Sequence, residues 1–221
     1  LWRSPEIHMC DQFETVYINL DRAEDRKQAF EAQDAFAACG MRRLAAIDGR
    51  TLDTSKAEGA ALKRGQQGCV RSHMRAWDAA RRAGAGPYAV IFEDDFRLPA
   101  DYATTIPQVL REAETACDGK PADVVWLNRT MLNHAKEETD ISDHLVHAAN
   151  PSHGMHAYAV SKEGAAKLMR MHEEDEQHLF QVPLDSYFHR HLGPGQPLCM
   201  VAVEPQMGHV PVSSASTTEE D

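Results

Sequence analysis

The chain has 221 residues, 43% of them hydrophobic and 26% charged, which suits one globular domain with ample core. No apolar run approaches the roughly 18 residues of a membrane span, so no transmembrane segment is expected. A net charge of −11 excludes nonspecific binding to nucleic acid or anionic membranes, but not small anionic ligands, because a metal or local arginines can reverse the sign of a site. No signal peptide is visible, and the cytoplasm and the secretory-pathway lumen both stay open. The five cysteines (Cys10, Cys39, Cys69, Cys117, Cys199) are scattered without a CxxC, which predicts reduced thiols and no disulfide scaffold.

In chain order, "TVYINL" (15–20) reads as a strand and 22–39 as a helix closed by Gly40. The stretch 68–84 reads as a second helix, "YAVIF" (88–92) as a strand, and 101–117 as a helix started or interrupted at Pro107. "ADVVWL" (122–127) and "MHAYAV" (155–160) are strands. A helix follows over 161–172 with Ser161 as its N-cap, and "LCMVAVE" (198–204) is the last strand. Strands alternating with helices predict an α/β, Rossmann-like sheet, mixed but mainly parallel and flanked by helices. One domain is expected over 1–210, with a flexible acidic tail at 211–221.

In such sheets ligands bind beyond the carboxyl ends of the strands. The strand 88–92 runs straight into Glu93, Asp94 and Asp95. Three adjacent acids there suit a hard divalent cation such as Mn²⁺ or Mg²⁺, with Glu93 and Asp95 projecting to one side; the plain alternative is an acidic edge facing water. Gly65 and Gly68 lie where backbone N–H groups can meet an anion, although no Walker loop is present. Cys69, His73 and Trp77 share one helix face. They pack the helix on the sheet, with Ser72 and His73 turned either toward a cleft or into satisfied core positions. Asn19, Asp21, Arg22 and Arg26 follow the first strand, and the arginines suit a nucleotide's phosphates as well as they suit solvated charge pairs. Asn128 follows the strand 122–127 at the same end of the sheet.

Read together, these segments resemble glycosyltransferase family 25, which includes bacterial lipopolysaccharide galactosyltransferases and collagen hydroxylysine galactosyltransferases. The resemblance rests on "INLDR" (Ile18–Arg22), "AIDG" (Ala46–Gly49), the GxxGCxxSHxxxW helix (Gly65–Trp77) and the strand into EDD (Ile91–Asp95), in that order. "HAYAVSKEGAAKLM" (156–169) and "VPLD" (182–185) extend it, so that it covers roughly residues 15 to 210. It implies a GT-A fold, a UDP-sugar donor (usually UDP-galactose), Mn²⁺, and single displacement with inversion onto a glycan, lipid-linked sugar or hydroxylysine hydroxyl.

On that resemblance Glu93 and Asp95 are metal ligands, and Asp185 is the base or else the cap of the short helix at 185–192. Asn19, Asp21, Arg22, Arg26, Gly68, Ser72, His73, Asp94 and Asn128 line the donor. The chain departs from the family near its end: "VEPQMGHVPVSSAS" has Gln206 and His209 but no Ser-Asp element. His209 is then expected as the third metal ligand or, alternatively, as a phosphate contact. That departure also motivates a noncatalytic nucleotide-sugar-binding relative. A nucleotidyltransferase is disfavoured, because the first turn lacks the glycines that would cradle a triphosphate.

Overall fold

A computed structural model describes residues 13–53, 61–84, 86–132, 137–175, 180–192 and 196–211. Its elements are β1 (Glu14–Asn19), α1 (Glu24–Glu31), α2 (Asp34–Cys39), β2 (Arg42–Ala45), α3 (Arg64–Ala80), β3 (Tyr88–Glu93) and α4 (Tyr102–Ala113). There follow β4 (Val124–Met131), β5 (Leu145–His147), β6 (Ser152–Ser161), α5 (Lys162–Glu174), α6 (Leu184–His189) and β7 (Met200–Val203). One seven-stranded sheet has the order β2-β1-β3-β6-β4-β7-β5. Strands β2, β1, β3, β4 and β7 run one way, with β6 and β5 against them. This is the mixed, helix-flanked α/β arrangement that the alternation predicts. The tail expected at 211–221 lies, beyond Pro211, outside the described residues.

The differences from expectation have local causes. The helix expected over 22–39 breaks in two at Gln33, whose backbone is extended. Its side chain donates to the carbonyl of Phe96 at 3.2 Å and accepts from Leu98 N at 2.8 Å, which ties the break to the segment after the acidic triplet. Helix α3 begins four residues earlier than the pattern predicts, because Gln66 Oε1 caps Lys63 N at 3.0 Å. Helix α4 starts at Tyr102 and runs through Pro107. Strand β2 escapes the sequence pattern because an edge strand needs few apolar residues; only Leu44 in it is buried.

Two apolar layers sandwich the sheet. On one side Trp77 and Trp126 both meet Phe188 edge-on, at 6.0 and 5.7 Å between centroids. On the other side Phe92 stacks on Phe96, with Phe30 and Tyr102 beside it. The α3 layer and the sheet end together at the triplet, so a fixed core holds the acids in place.

The expectation of reduced thiols is corrected. Cys117 and Cys199 form a disulfide across 82 residues, with Cα atoms 6.2 Å apart, tying the end of α4 to the approach of β7. Cys39 is likewise disulfide-bonded, and Cys69 is a free thiol. Scattered spacing carries no information here, because the fold brings distant segments together.

A buried ion pair fastens the segment before β5. Arg129, 1% exposed at its side chain, donates to Glu138 Oε1 at 2.9 Å, with Glu204 at 3.4 Å. Glu138 also accepts from Ala149 N and Asn150 N at 2.9 and 3.0 Å. Burial opposes the charge on Glu138, but Arg129 and these amides outweigh it and hold its pKa at about 2. A depressed carboxyl stabilises the fold above its unfolded pKa, roughly 4.3, and that contribution is lost as pH falls toward about 2. Glu138→Gln is therefore expected to cost about 3 kcal/mol at pH 7 by stranding Arg129. In denaturant melts the gap from wild type should shrink progressively below pH 4; a pH-independent gap would contradict this assignment.

Candidate functional site

The acidic triplet opens into a cavity of about 410 Å³ at the carboxyl end of β3. The cavity gathers Asn19, Arg22 and Arg26 from the segment after β1, Asp48 and Gly49 from the "AIDG" turn, and Cys69, Ser72 and His73 from α3. Glu93, Asp94 and Asp95 form its floor, and His153, His156 and Asp185 its far wall. Segments far apart in sequence thus meet around one space.

Within it Glu93, Asp95 and His156 each present a ligand atom within 4.8 Å of the others. Strand register explains this. Strand β6 pairs antiparallel with β3, Phe92 opposite Ala157, and one step further sets His156 opposite Glu93. His156 Nδ1 lies 2.9 Å from Glu93 Oε2 and 3.3 Å from Asp95 Oδ1. These are close approaches without hydrogen-bond alignment, since Nδ1 and Asp95 Oδ1 are buried with no hydrogen-bond partner. Two oxygens and an imidazole nitrogen aimed at one point, but not at each other, are the donor set of a Mn²⁺-type cation. The residues fit such an ion.

The electrostatics agree. Burial opposes charge on His156, yet Asp95 and Glu93 raise its pKa to about 10. Burial likewise opposes charge on Glu93, while His156 and His73 beside it hold its carboxyl well below the usual range. Asp94 is pushed up by burial, despite the pull of Arg26 and Asn19. The acids thus set up a field that favours positive charge at this point, and a cation bound there would take the place of a proton on His156. A second group, Cys69, His73 and Glu93, shares one carboxylate with the first. Burial raises the Cys69 thiol far above its normal range, so a thiolate ligand is costly there.

The remaining expected residues fall into two sets. Asn19 donates to Asp94 Oδ2 at 2.6 Å and accepts from Arg43 at 2.8 Å, so it orients an acid. Arg26 pairs with Asp94, and with Asp95 at 3.4 Å, while Arg22 pairs with Asp48 at 2.9 Å. Ser72 accepts from Ile47 N at 2.8 Å and donates to Gly68 O at 2.7 Å, which braces α3 on the "AIDG" turn. Asp185, at the start of α6, accepts from His153 Nδ1 at 2.8 Å, Gly154 N at 3.2 Å and Ser186 N at 2.7 Å.

Four others lie outside the cavity lining. Asp21 pairs with Arg43 at 2.6 Å and is 81% exposed. Asn128 donates to Gln206 at 3.1 Å. Gly68 packs against the backbone of Ile47 and Gly49. His209 exchanges backbone bonds with Arg97, and the third donor atom near Glu93 and Asp95 comes from His156. The sequence alone does not single out His156, which lies beside Glu93 and Asp95, or His153, which bonds Asp185. The "HAY" element holds the signal, since β3 ends and β6 begins at the cavity.

Comparison with known proteins places these motifs in one lineage. The family model described as glycosyltransferase family 25 (LPS biosynthesis protein) matches residues 13–187. A "Probable inactive glycosyltransferase 25 family member 3" of Bos taurus is 29% identical over 173 residues, covering 71% of this chain and 28% of the relative. "Procollagen galactosyltransferase 1" of Danio rerio is 25% identical over 175 residues, covering 71% and 28%. A "Glycosyltransferase 25 family member" of Drosophila pseudoobscura pseudoobscura is 26% identical over 190 residues, covering 76% and 29%. The chain spans less than a third of the length of these curated relatives.

Proposed function

The chain belongs to glycosyltransferase family 25, and from that premise we propose that it transfers galactose from UDP-galactose to a hydroxyl acceptor, with inversion. Glu93, Asp95 and His156 would hold Mn²⁺ or Mg²⁺. The observation that carries this reading is the convergence of those three ligand atoms, two of them buried without hydrogen-bond partners. When bound, the cation neutralises the charge that builds on the diphosphate as the sugar–phosphate bond breaks.

The charge balance of the cavity supports the need for it. Five carboxylates (Asp48, Glu93, Asp94, Asp95, Asp185) line the space against two guanidiniums, Arg22 and Arg26, each paired with an acid. Without added positive charge, a diphosphate would enter a negative field. Asp94 and Asp48 hold the two arginines over the cavity, where they orient the donor's phosphates.

Inversion requires a base on the face opposite the leaving UDP. Asp185 with His153 supplies it across the cavity from the "INLDR" segment, the carboxylate aligning the imidazole through its Nδ1. The acceptor hydroxyl proton passes to this pair as the new glycosidic bond forms. Asp185→Asn is expected to reduce transfer about a hundredfold or more while UDP affinity stays within about threefold. Equal losses in both would place Asp185 in donor binding instead. The Cys117–Cys199 disulfide supports an oxidising compartment, and a glycan, lipid-linked sugar or hydroxylysine acceptor fits that setting.

The test needs no acceptor. Incubating the protein with a panel of UDP-sugars and measuring UDP release should give slow, Mn²⁺-dependent hydrolysis of UDP-galactose in preference to the others. Two relatives named "Probable inactive" and "Inactive" glycosyltransferase 25 family member 3, of Bos taurus and Homo sapiens, favour a second reading as a noncatalytic nucleotide-sugar binder. UDP binding with no release from any donor, and no transfer to any acceptor, would select it.

A further inference from the structure

We infer that His73, Tyr158 and Trp77 form a buried hydrogen-bond relay that positions Glu93 as a metal ligand, an inference that rests on the metal reading above. Trp77 Nε1 donates to Tyr158 Oη at 2.9 Å. Tyr158 Oη lies 2.9 Å from His73 Nδ1, and His73 Nε2 lies 3.1 Å from Glu93 Oε1. All three relay side chains are at most 1% exposed.

The direction of the relay follows from its ends. An indole N–H only donates, and an ionised carboxylate only accepts. Tyr158 Oη accepts from Trp77, and with its own proton directed to Nδ1 the chain runs on from His73 Nε2, which donates to Glu93. In this arrangement every proton along the chain has an acceptor. The relay fixes Oε1, and so Oε2 is left turned toward His156 and Asp95, 2.9 Å from His156 Nδ1. Three sequence motifs then converge on one carboxylate. Helix α3 brings the imidazole and indole, β6 the phenol, and β3 the Glu93 side chain that they orient. Packing alone would need the rings but not their polar atoms in series.

Hydrogen-bonded partners of ligating groups typically contribute about 10–100-fold to metal affinity. Mn²⁺ affinity measured by calorimetry, with the bound-ion EPR spectrum as a second readout, separates positioning from packing. His73→Asn keeps a polar atom near Tyr158 but cannot reach Glu93, and should weaken Mn²⁺ binding about 10–100-fold. His73→Gln places an amide N–H where Nε2 stood and should recover most of that loss. Tyr158→Phe, which keeps the ring and frees the His73 tautomer, should weaken binding by an intermediate factor and serves if His73→Asn does not fold.

Wild-type affinity in His73→Asn, or in Tyr158→Phe where that variant stands in, would overturn the relay. Equal losses in the Asn and Gln variants would overturn it too, as a mere packing effect. No Mn²⁺ binding by the wild-type protein would instead overturn the metal reading itself.

Discussion

Asp95→Asn is expected to lower Mn²⁺-dependent donor turnover about a thousandfold while leaving the melting temperature nearly unchanged. A thousandfold loss is about 4 kcal/mol of transition-state stabilisation, within what a misplaced cation forfeits. The effect on the fold is small because opposing contributions meet at Asp95. Asp95 Oδ1 is buried without a hydrogen-bond partner, and Asp94 already holds Arg26 more closely than Asp95 does. Neutralising Asp95 removes repulsion from Glu93 and Asp94, which offsets the attraction to His156 and Arg26 that it gives up. Turnover and thermal melts on one preparation check both halves. Normal turnover would remove Asp95 from the metal site, and a drop in melting temperature above about 5 °C would make it structural.

Gly68→Ala is expected to cost about 3 kcal/mol of stability, or roughly 6–12 °C in melting temperature. A Cβ there would stand 2.5 Å from Ile47 O and 2.8 Å from Gly49 N, both backbone atoms. That turn cannot retreat, because Ser72 holds Ile47 N and Gly49 itself closes on the backbone of Arg64. Gly84→Ala, where a Cβ meets nothing within 4 Å, is the control and should shift stability by less than about 1 kcal/mol. If Gly68→Ala melts like wild type but loses UDP affinity, the glycine faces the ligand after all.

Much of the site is legible in the sequence because its parts sit at strand ends, where local pattern and location coincide. The "INLDR", "AIDG", "GCxxSHxxxW" and EDD segments can each be found by reading a strand or helix and looking past its end. His156 is harder, since its role depends on which residue of β3 it faces, and register between strands far apart in the chain is not a local property. His209 draws attention because it falls late in the chain; its backbone pairs with Arg97 and it does not line the cavity. The break at Gln33 and the Cys117–Cys199 bond share that cause: each answers to a partner far away in sequence. Strand β2 is hidden for a different reason, as a charged edge strand has no alternation to display.

On the proposed reading, a divalent cation at Glu93, Asp95 and His156 is what lets this acidic cavity accept a nucleotide diphosphate. Titrating UDP into the wild-type protein by calorimetry, with Mn²⁺ present and with chelator in its place, tests this. Binding seen with Mn²⁺ and weakened at least about a hundredfold without it is the predicted result. Equal affinity under both conditions would mean that the arginines suffice and that the acids serve some other purpose.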